Sequence, residues 1–181
     1  MKKLFLLLIC TSAFSQDKFE LTPEKFTDYV VCNFEGKTEI DLYIKSMQWL
    51  EVTYKNPKEV LKGNIENDYI RFTGSKSNLY CINALGRTCY DVRYTIELVF
   101  KDGKIKFDVI DLEYLAPSSQ YSAGGWSSLP LMTNPGAFFK KGELKKTYKY
   151  IPEIADHLNS LKSDLQTFIT TDAVASKKEG W

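Results

Sequence analysis

Nine residues constrain the fold more than any other part of the chain: Val92, Tyr94, Ile96, Leu98 and Phe100 alternate with Arg93, Thr95, Glu97 and Val99. A period of two sends one set of side chains to a core and the other toward water, which predicts a strand with one buried face. The run leads straight into Asp102-Gly103, flanked by Lys101 and Lys104. That dipeptide tolerates positive φ at both centres of a type I′ turn, so a tight hairpin is expected. On the return, Ile105, Phe107 and Val109 share one parity and Ile110, Leu112 and Tyr114 the other, which predicts a β-bulge near Val109.

Residues 29–34 are rich in β-formers and stop at Gly36, giving an earlier strand. Thr38 then precedes Glu39 and Asp41, an N-cap followed by acids in the first turn. Ile40, Tyr43, Ile44, Met47, Leu50 and Tyr54 recur at helical spacing, so 38–54 is predicted to be an amphipathic helix ended by Asn56-Pro57. Segments 60–65 and 69–75 form two short strands around Glu66-Asn67-Asp68, and 76–88 reads as a loop. A last helix starts near Pro152, with Ile151, Ile154, Leu158, Leu161, Leu165, Phe168 and Ile169 on one apolar face that packs on the same side of the sheet as the first. The fold class is α+β.

The N-terminus has its own logic. Lys2 and Lys3 precede an unbroken apolar run, 4–10, and Ala13-Phe14-Ser15 places small residues at the −3 and −1 positions of a cleavage site before Gln16. This is the order of a secretory signal peptide over 1–15, and the run is far shorter than the roughly 20 residues that span a bilayer. Leu7-Leu8-Ile9-Cys10 has the outline of a lipobox, but Ile9 is bulkier than the small residue usual there, so lipid anchoring is disfavoured. Extracytoplasmic residence, periplasmic or secreted, is the expectation. A single domain over 16–170 and a frayed tail over 171–181 complete the expected organisation, with no transmembrane span.

Cleavage changes the charge. The chain carries 24 basic and 23 acidic residues, and losing Lys2 and Lys3 leaves 22 against 23, a net charge of −1. No field of that size steers a protein onto nucleic acid. Cleavage also removes Cys10, leaving Cys32, Cys81 and Cys89 in a disulfide-permissive compartment. A short loop between Cys81 and Cys89 could bring them within bonding reach, a bridge worth about 2.5 kcal/mol by loop entropy. Cys32, among Tyr29, Val30, Val31 and Phe34, reads as a small apolar core residue.

Segment 116–146 is rich in Pro, Gly and Ser and reads as a long irregular loop. Its aromatic and aliphatic residues either cap an open end of the core or face a ligand; Trp126, Phe138 and Phe139 are the ligand-binding candidates. Little else points to chemistry. His157 is the one histidine, and its position predicts a solvated helix residue rather than a catalytic base. The Cys81 and Cys89 spacing is wider than a zinc knuckle, Gly124-Gly125 lacks the setting of a phosphate cradle, and no Gly-x-Ser-x-Gly elbow occurs. No catalytic residue, metal ligand or cofactor is assigned. Asp108, Asp111 and Glu113 are the carboxylates that could serve acid/base work if one were desolvated beside another. The basic run 140–146 is interrupted by Glu143 and resembles a charged edge more than a nucleic-acid groove.

Asp41-Leu42-Tyr43 leading to Trp49-Leu50, Tyr94-Thr95-Ile96, and Lys101-Asp102-Gly103-Lys104 with Phe107 after the turn resemble a bacterial family, the domain of unknown function numbered 4468. The resemblance covers about 28–114. It implies a TATA-binding-protein-like (TBP-like) fold, a curved antiparallel sheet of about five strands with two helices on one face. It transfers no functional residue, and the fold name does not imply DNA binding. The expected function is an exported, non-catalytic binding or accessory module of the cell envelope that recognises a protein or small-molecule ligand through its exposed sheet face or the 116–146 loop. A carboxylate-based hydrolase and a structural subunit of an envelope assembly are the alternatives.

Overall fold

The computed structural model describes residues 17–171. The signal peptide expected over 1–15 lies outside the described residues, as does the tail expected over 171–181 apart from Thr171, which is helical. The elements are β1 (Tyr29–Asn33), α1 (Glu39–Thr53), a short α2 (Pro57–Val60), β2 (Leu61–Ile65), β3 (Tyr69–Asn83), β4 (Arg87–Lys101), β5 (Lys104–Ala116), β6 (Gly125–Ser128), β7 (Phe139–Lys140), β8 (Glu143–Leu144) and α3 (Pro152–Thr171). The main sheet is antiparallel throughout, in the order β1-β5-β4-β3-β2, with β6 joining the far half of β5. None of these helices is long and apolar enough to cross a membrane.

The period-two segment forms the centre of β4, and Val92, Tyr94, Ile96, Leu98 and Phe100 are all buried. The hairpin closes through Lys101 and Lys104. Only Gly103 takes positive φ, at 73°, so the turn is not type I′. The difference has a cause 63 residues away: the Asp102 carboxylate accepts the Glu39 N–H at 3.0 Å, and the Gly103 N–H donates to the Lys37 carbonyl. The turn is bound to the start of α1. The bulge lies where Thr95 faces Asp111 while Ile96 faces Val109, which leaves Ile110 as the extra residue.

Thr38 is the N-cap of α1. Its hydroxyl accepts from the Asp41 N–H at 3.1 Å and the Asp41 carboxylate accepts the Thr38 N–H at 3.2 Å, a reciprocal capping box. The Thr38 hydroxyl, which also donates to the Asp41 carboxylate at 2.8 Å, and then the Thr38 N–H hold the Asp41 carboxyl below its ordinary pKa. Thr38→Ala is expected to cost about 1 kcal/mol in urea unfolding. A loss below a few tenths would mean that the Asp102 contact alone fixes this helix end.

α1 and α3 lie on one side of the sheet, since Tyr43 meets Phe100, Trp49 meets Phe72, and His157 of α3 meets Tyr94. The lead-in segment is tied to the same layer, with Asn159 of α3 bonding both the N–H and the carbonyl of Phe19. The buried face of α1 differs from the one expected. Leu42, Tyr43, Ser46, Trp49 and Leu50 point inward, whereas Ile40 and Ile44 are 49% and 46% exposed.

Segment 76–88 is not a loop. β3 and β4 continue as a long hairpin past an irregularity between Lys76 and Tyr80, and Cys81 and Cys89 sit directly opposite each other, joined by a disulfide. Cys32 is buried and free, and burial pushes its thiol up to about 11. Much of 116–146 is also ordered: β6 extends the sheet, β7 and β8 form a small hairpin, and Leu129, Leu131 and Phe138 enter the main core.

Candidate functional site

One sheet face is covered by helices and the other carries the side chains of opposite parity. Strand register arranges that second face in rows. One row runs Arg71, Glu97, Asp108 and Tyr29 across β3, β4, β5 and β1. The next toward the bulge pairs Thr73 with Thr95, whose hydroxyls are 3.0 Å apart, and the row after it sets Ser75 beside Arg93, Glu113 and Ser128. On the other side of the Arg71 row lie Ile65, Tyr69, Val99, Lys106 and Val31, and beyond them Lys101 opposite Lys104.

The charged rows are largely self-satisfied. Arg71 pairs with Glu97, Arg93 donates to Glu113 at 2.7 Å, and Lys106 pairs with Asp108. Each carboxylate therefore faces a cation. Glu97 and Asp108 are opposed across the strands, but Arg71 and Lys106 flank them, so neither is left desolvated beside an unpaired acid as shared-proton chemistry requires. Asp111 is exposed. Among the described residues, no group of three or more His, Cys, Asp or Glu side chains is placed to hold a metal.

Two hollows open on this side of the molecule. One, of about 310 Å³, has Val31 and Val99 as its floor and Lys101, Lys104 and Lys106 as its rim. The other, of about 300 Å³, wraps the free edge of β3 at Thr73, Gly74 and Ser75 and is closed by Arg93, Trp126 and the chain after α1. Trp126 is 37% exposed, and the Arg93 guanidinium stacks on its ring at 4.5 Å. The other two aromatic candidates do not join it. Phe138 is a core residue, 3% exposed, packed edge-on against Tyr148 at 5.0 Å, and Phe139 is half-buried against the same core. The loop folds inward to close the end of the sheet, which takes Phe138 away from solvent and leaves Phe139 partly exposed.

His157 also departs from expectation. Its ring packs 5.4 Å from Tyr94, Nε2 is buried with no hydrogen-bond partner, and the Tyr94 hydroxyl is bonded instead to Tyr54 at 3.2 Å. Burial first, and the Lys76 charge second, push the imidazole down to about 4. With the folded value below the unfolded value near 6.5, the folded state binds fewer protons. Stability from this group is full above about pH 6.5 and is lost as pH falls toward 4. Discounted for solvent reaching the outer edge of the ring, the expected loss between pH 7 and 5 is about 1 kcal/mol. Because the chain has one histidine, its ring-proton NMR titration reads this directly. A midpoint near 6.5 would show the ring to be solvated.

The lysine-rimmed hollow went unnoticed in the sequence, although a signal was present. Val99 sits on the polar parity of its strand, and Val31 occupies the outward position between buried Val30 and Cys32. An apolar residue on the solvent parity marks a surface with something to cover.

Comparison with known proteins agrees on the fold. Residues 29–115 match the model of a family described as a domain of unknown function (DUF4468) with TBP-like fold. A crystal structure of a DUF4468 family protein from Bacteroides ovatus superposes with a TM-score of 0.62 at 14% identity, covering 87% of this chain and 93% of that one. A TBP-like protein from Parabacteroides distasonis gives 0.56 at 10% identity, covering 78% and 90%. No curated protein matches. The fold is TBP-like α+β, and likeness at these identities carries no function with it.

Proposed function

We propose, for a chain whose residues 29–115 match the TBP-like domain of unknown function, that it is an exported, non-catalytic binding module of the cell envelope whose uncovered sheet face is the recognition surface. The carrying observation is the contrast between the two faces. Both long helices pack on one side, and the other presents cross-strand ion pairs, a tryptophan braced by arginine, and apolar residues at outward positions. Paired charges give orientation and specificity, and half-exposed apolar groups give the area that binding removes from water. The residues at 1–15 support export. The carboxylate-hydrolase alternative is not favoured, because Glu97, Asp108 and Glu113 are each held by a cation.

A photo-reactive side chain at Thr95, central on the open face, is compared in cells with one at Ile44, exposed on the helix side. Specific adducts from position 95 in the envelope or secreted fraction are expected. Equal labelling from both positions, or retention of the full-length protein in the cytoplasm, would count against the reading. If the adducts persist in a Trp126→Ala background, the tryptophan end of the face plays no part.

A further inference from the structure

We infer that the hairpin end of the open face is a site for an amphipathic monoanion, a free medium-chain carboxylate lying on Val31 and Val99 with its headgroup between Lys101 and Lys104. The inference rests on the open face being the binding surface and assigns a chemistry to one end of it.

Four observations carry it. Lys101 and Lys104 are directly opposed across the turn, and neither ammonium has a hydrogen bond or ion pair among the described residues. Like charges placed opposite each other on a sheet are unfavourable unless a counter-charge joins them. Of the acids around the turn, Asp102 accepts the Glu39 N–H and Asp108 pairs with Lys106, and neither Glu35 nor Asp68 forms an ion pair with either lysine among the described residues. Phe100 and Ile105 point into the core, so both lysines project to the open face, where they rim a hollow of about 310 Å³.

The floor is apolar. In the row beside the lysines, Val31 and Val99 have only the stem of Lys106 between them, and that ammonium is drawn aside by Asp108 and the Tyr29 ring, 4.4 Å away. A lysine so placed adds methylenes to the surface rather than charge. The row continues through Tyr69 to Ile65, itself 56% exposed, about 19 Å across five strands at the usual strand spacing. Because Arg71, the arginine in the adjacent row, is engaged by Glu97, the free donors are ammonium point charges, which suit a single carboxylate better than a phosphate held by a guanidinium fork.

The test is titration of the protein with decanoate below its micellar concentration, followed by amide NMR. Shifts centred on residues 31 and 99–106 are expected. Lys101→Gln with Lys104→Gln should weaken binding about tenfold or more, the loss of roughly 1.4 kcal/mol of charge-assisted contact. This pair of changes relieves a like-charge opposition, so the fold is retained, and a melt no lower than that of the unchanged protein confirms it. Butyrate should bind at least tenfold more weakly than decanoate, since its shorter chain removes much less apolar surface from water. Decanoate affinity unchanged in the double variant would overturn the site. Butyrate or inorganic phosphate binding as tightly as decanoate would reduce it to an adventitious anion, and binding to phosphatidylglycerol vesicles without binding of free decanoate would make it a membrane contact instead. If decanoate fails while Thr95 adducts still form, the assigned ligand class fails and the broader binding reading stands.

Discussion

Trp49→Ala is expected to lower the unfolding free energy by about 4 kcal/mol, the largest effect of any single replacement considered for this domain. The indole is 2% exposed and meets Phe72 at 5.8 Å and Tyr54 at 6.1 Å, both edge-on, with Phe168 of α3 near its outer side. Truncation removes transfer energy and leaves a cavity where α1, α3 and the sheet meet, and close-packed neighbours collapse only partly into such a space. Ile44→Ala should change stability by no more than about 0.5 kcal/mol, because that side chain is on the solvent side of the same helix. Urea unfolding of both variants measures the contrast. Equal losses would mean that the helix is rotated from the orientation described.

The second large effect comes from adding an atom. Gly74 lies on β3 directly opposite Tyr94, and a Cβ there would stand 2.6 Å from Cε2, Cζ and the hydroxyl of that tyrosine. The ring cannot move aside cheaply: it is 3% exposed, hydrogen-bonded to Tyr54 and packed against His157. Gly74→Ala is therefore expected to destabilise by about 3 kcal/mol, at the upper end for overpacking a close-packed core. Combining it with Tyr94→Leu, which removes the obstructing ring atoms, should cost clearly less than the two single changes added together. Strict additivity would show that strand propensity, not the clash, sets the cost of Gly74→Ala.

These two positions show where sequence pattern stops. Around α1 apolar residues occur on nearly every side, so Ile40, Tyr43, Ile44, Met47, Leu50 and Tyr54 make as good a helical stripe as Leu42, Tyr43, Ser46, Trp49 and Leu50. Periodicity reports that a face exists but does not choose between stripes that share Tyr43 and Leu50. The sheet chooses, by offering Phe72 and Phe100 as partners. The same limit applies to His157, whose neighbours within α3 suggested solvent and whose actual neighbour, Tyr94, is supplied by β4. It applies again to 76–88, where Gly86 and the polar residues suggested a loop. Register with β4 extends the strand through Cys81 to Asn83, and the disulfide forms between cross-strand partners.

Of the candidate site, Trp126 was visible as an aromatic in an atypical segment, but Phe138 and Phe139 carried the same signal and turned inward. Composition cannot distinguish an aromatic that closes a core from one that faces water. The lysine-rimmed hollow required three strands to be aligned, since Val31, Val99, Lys101, Lys104 and Lys106 come from β1, β4 and β5 and meet only through register.

The sequence by itself determined the β4 strand and its hairpin with β5, a bulge near Val109, the capped start of α1, the apolar face of α3 and the α+β class, because each depends on residues within a few positions of one another. Only the tertiary structure decided which stripe of α1 is buried, where the imidazole of His157 lies, how Cys81 finds Cys89, and which outward residues share a row. Those outcomes depend on contacts between distant segments, and a long-range contact is set by whatever surface the partner strand or helix presents, which no local period encodes.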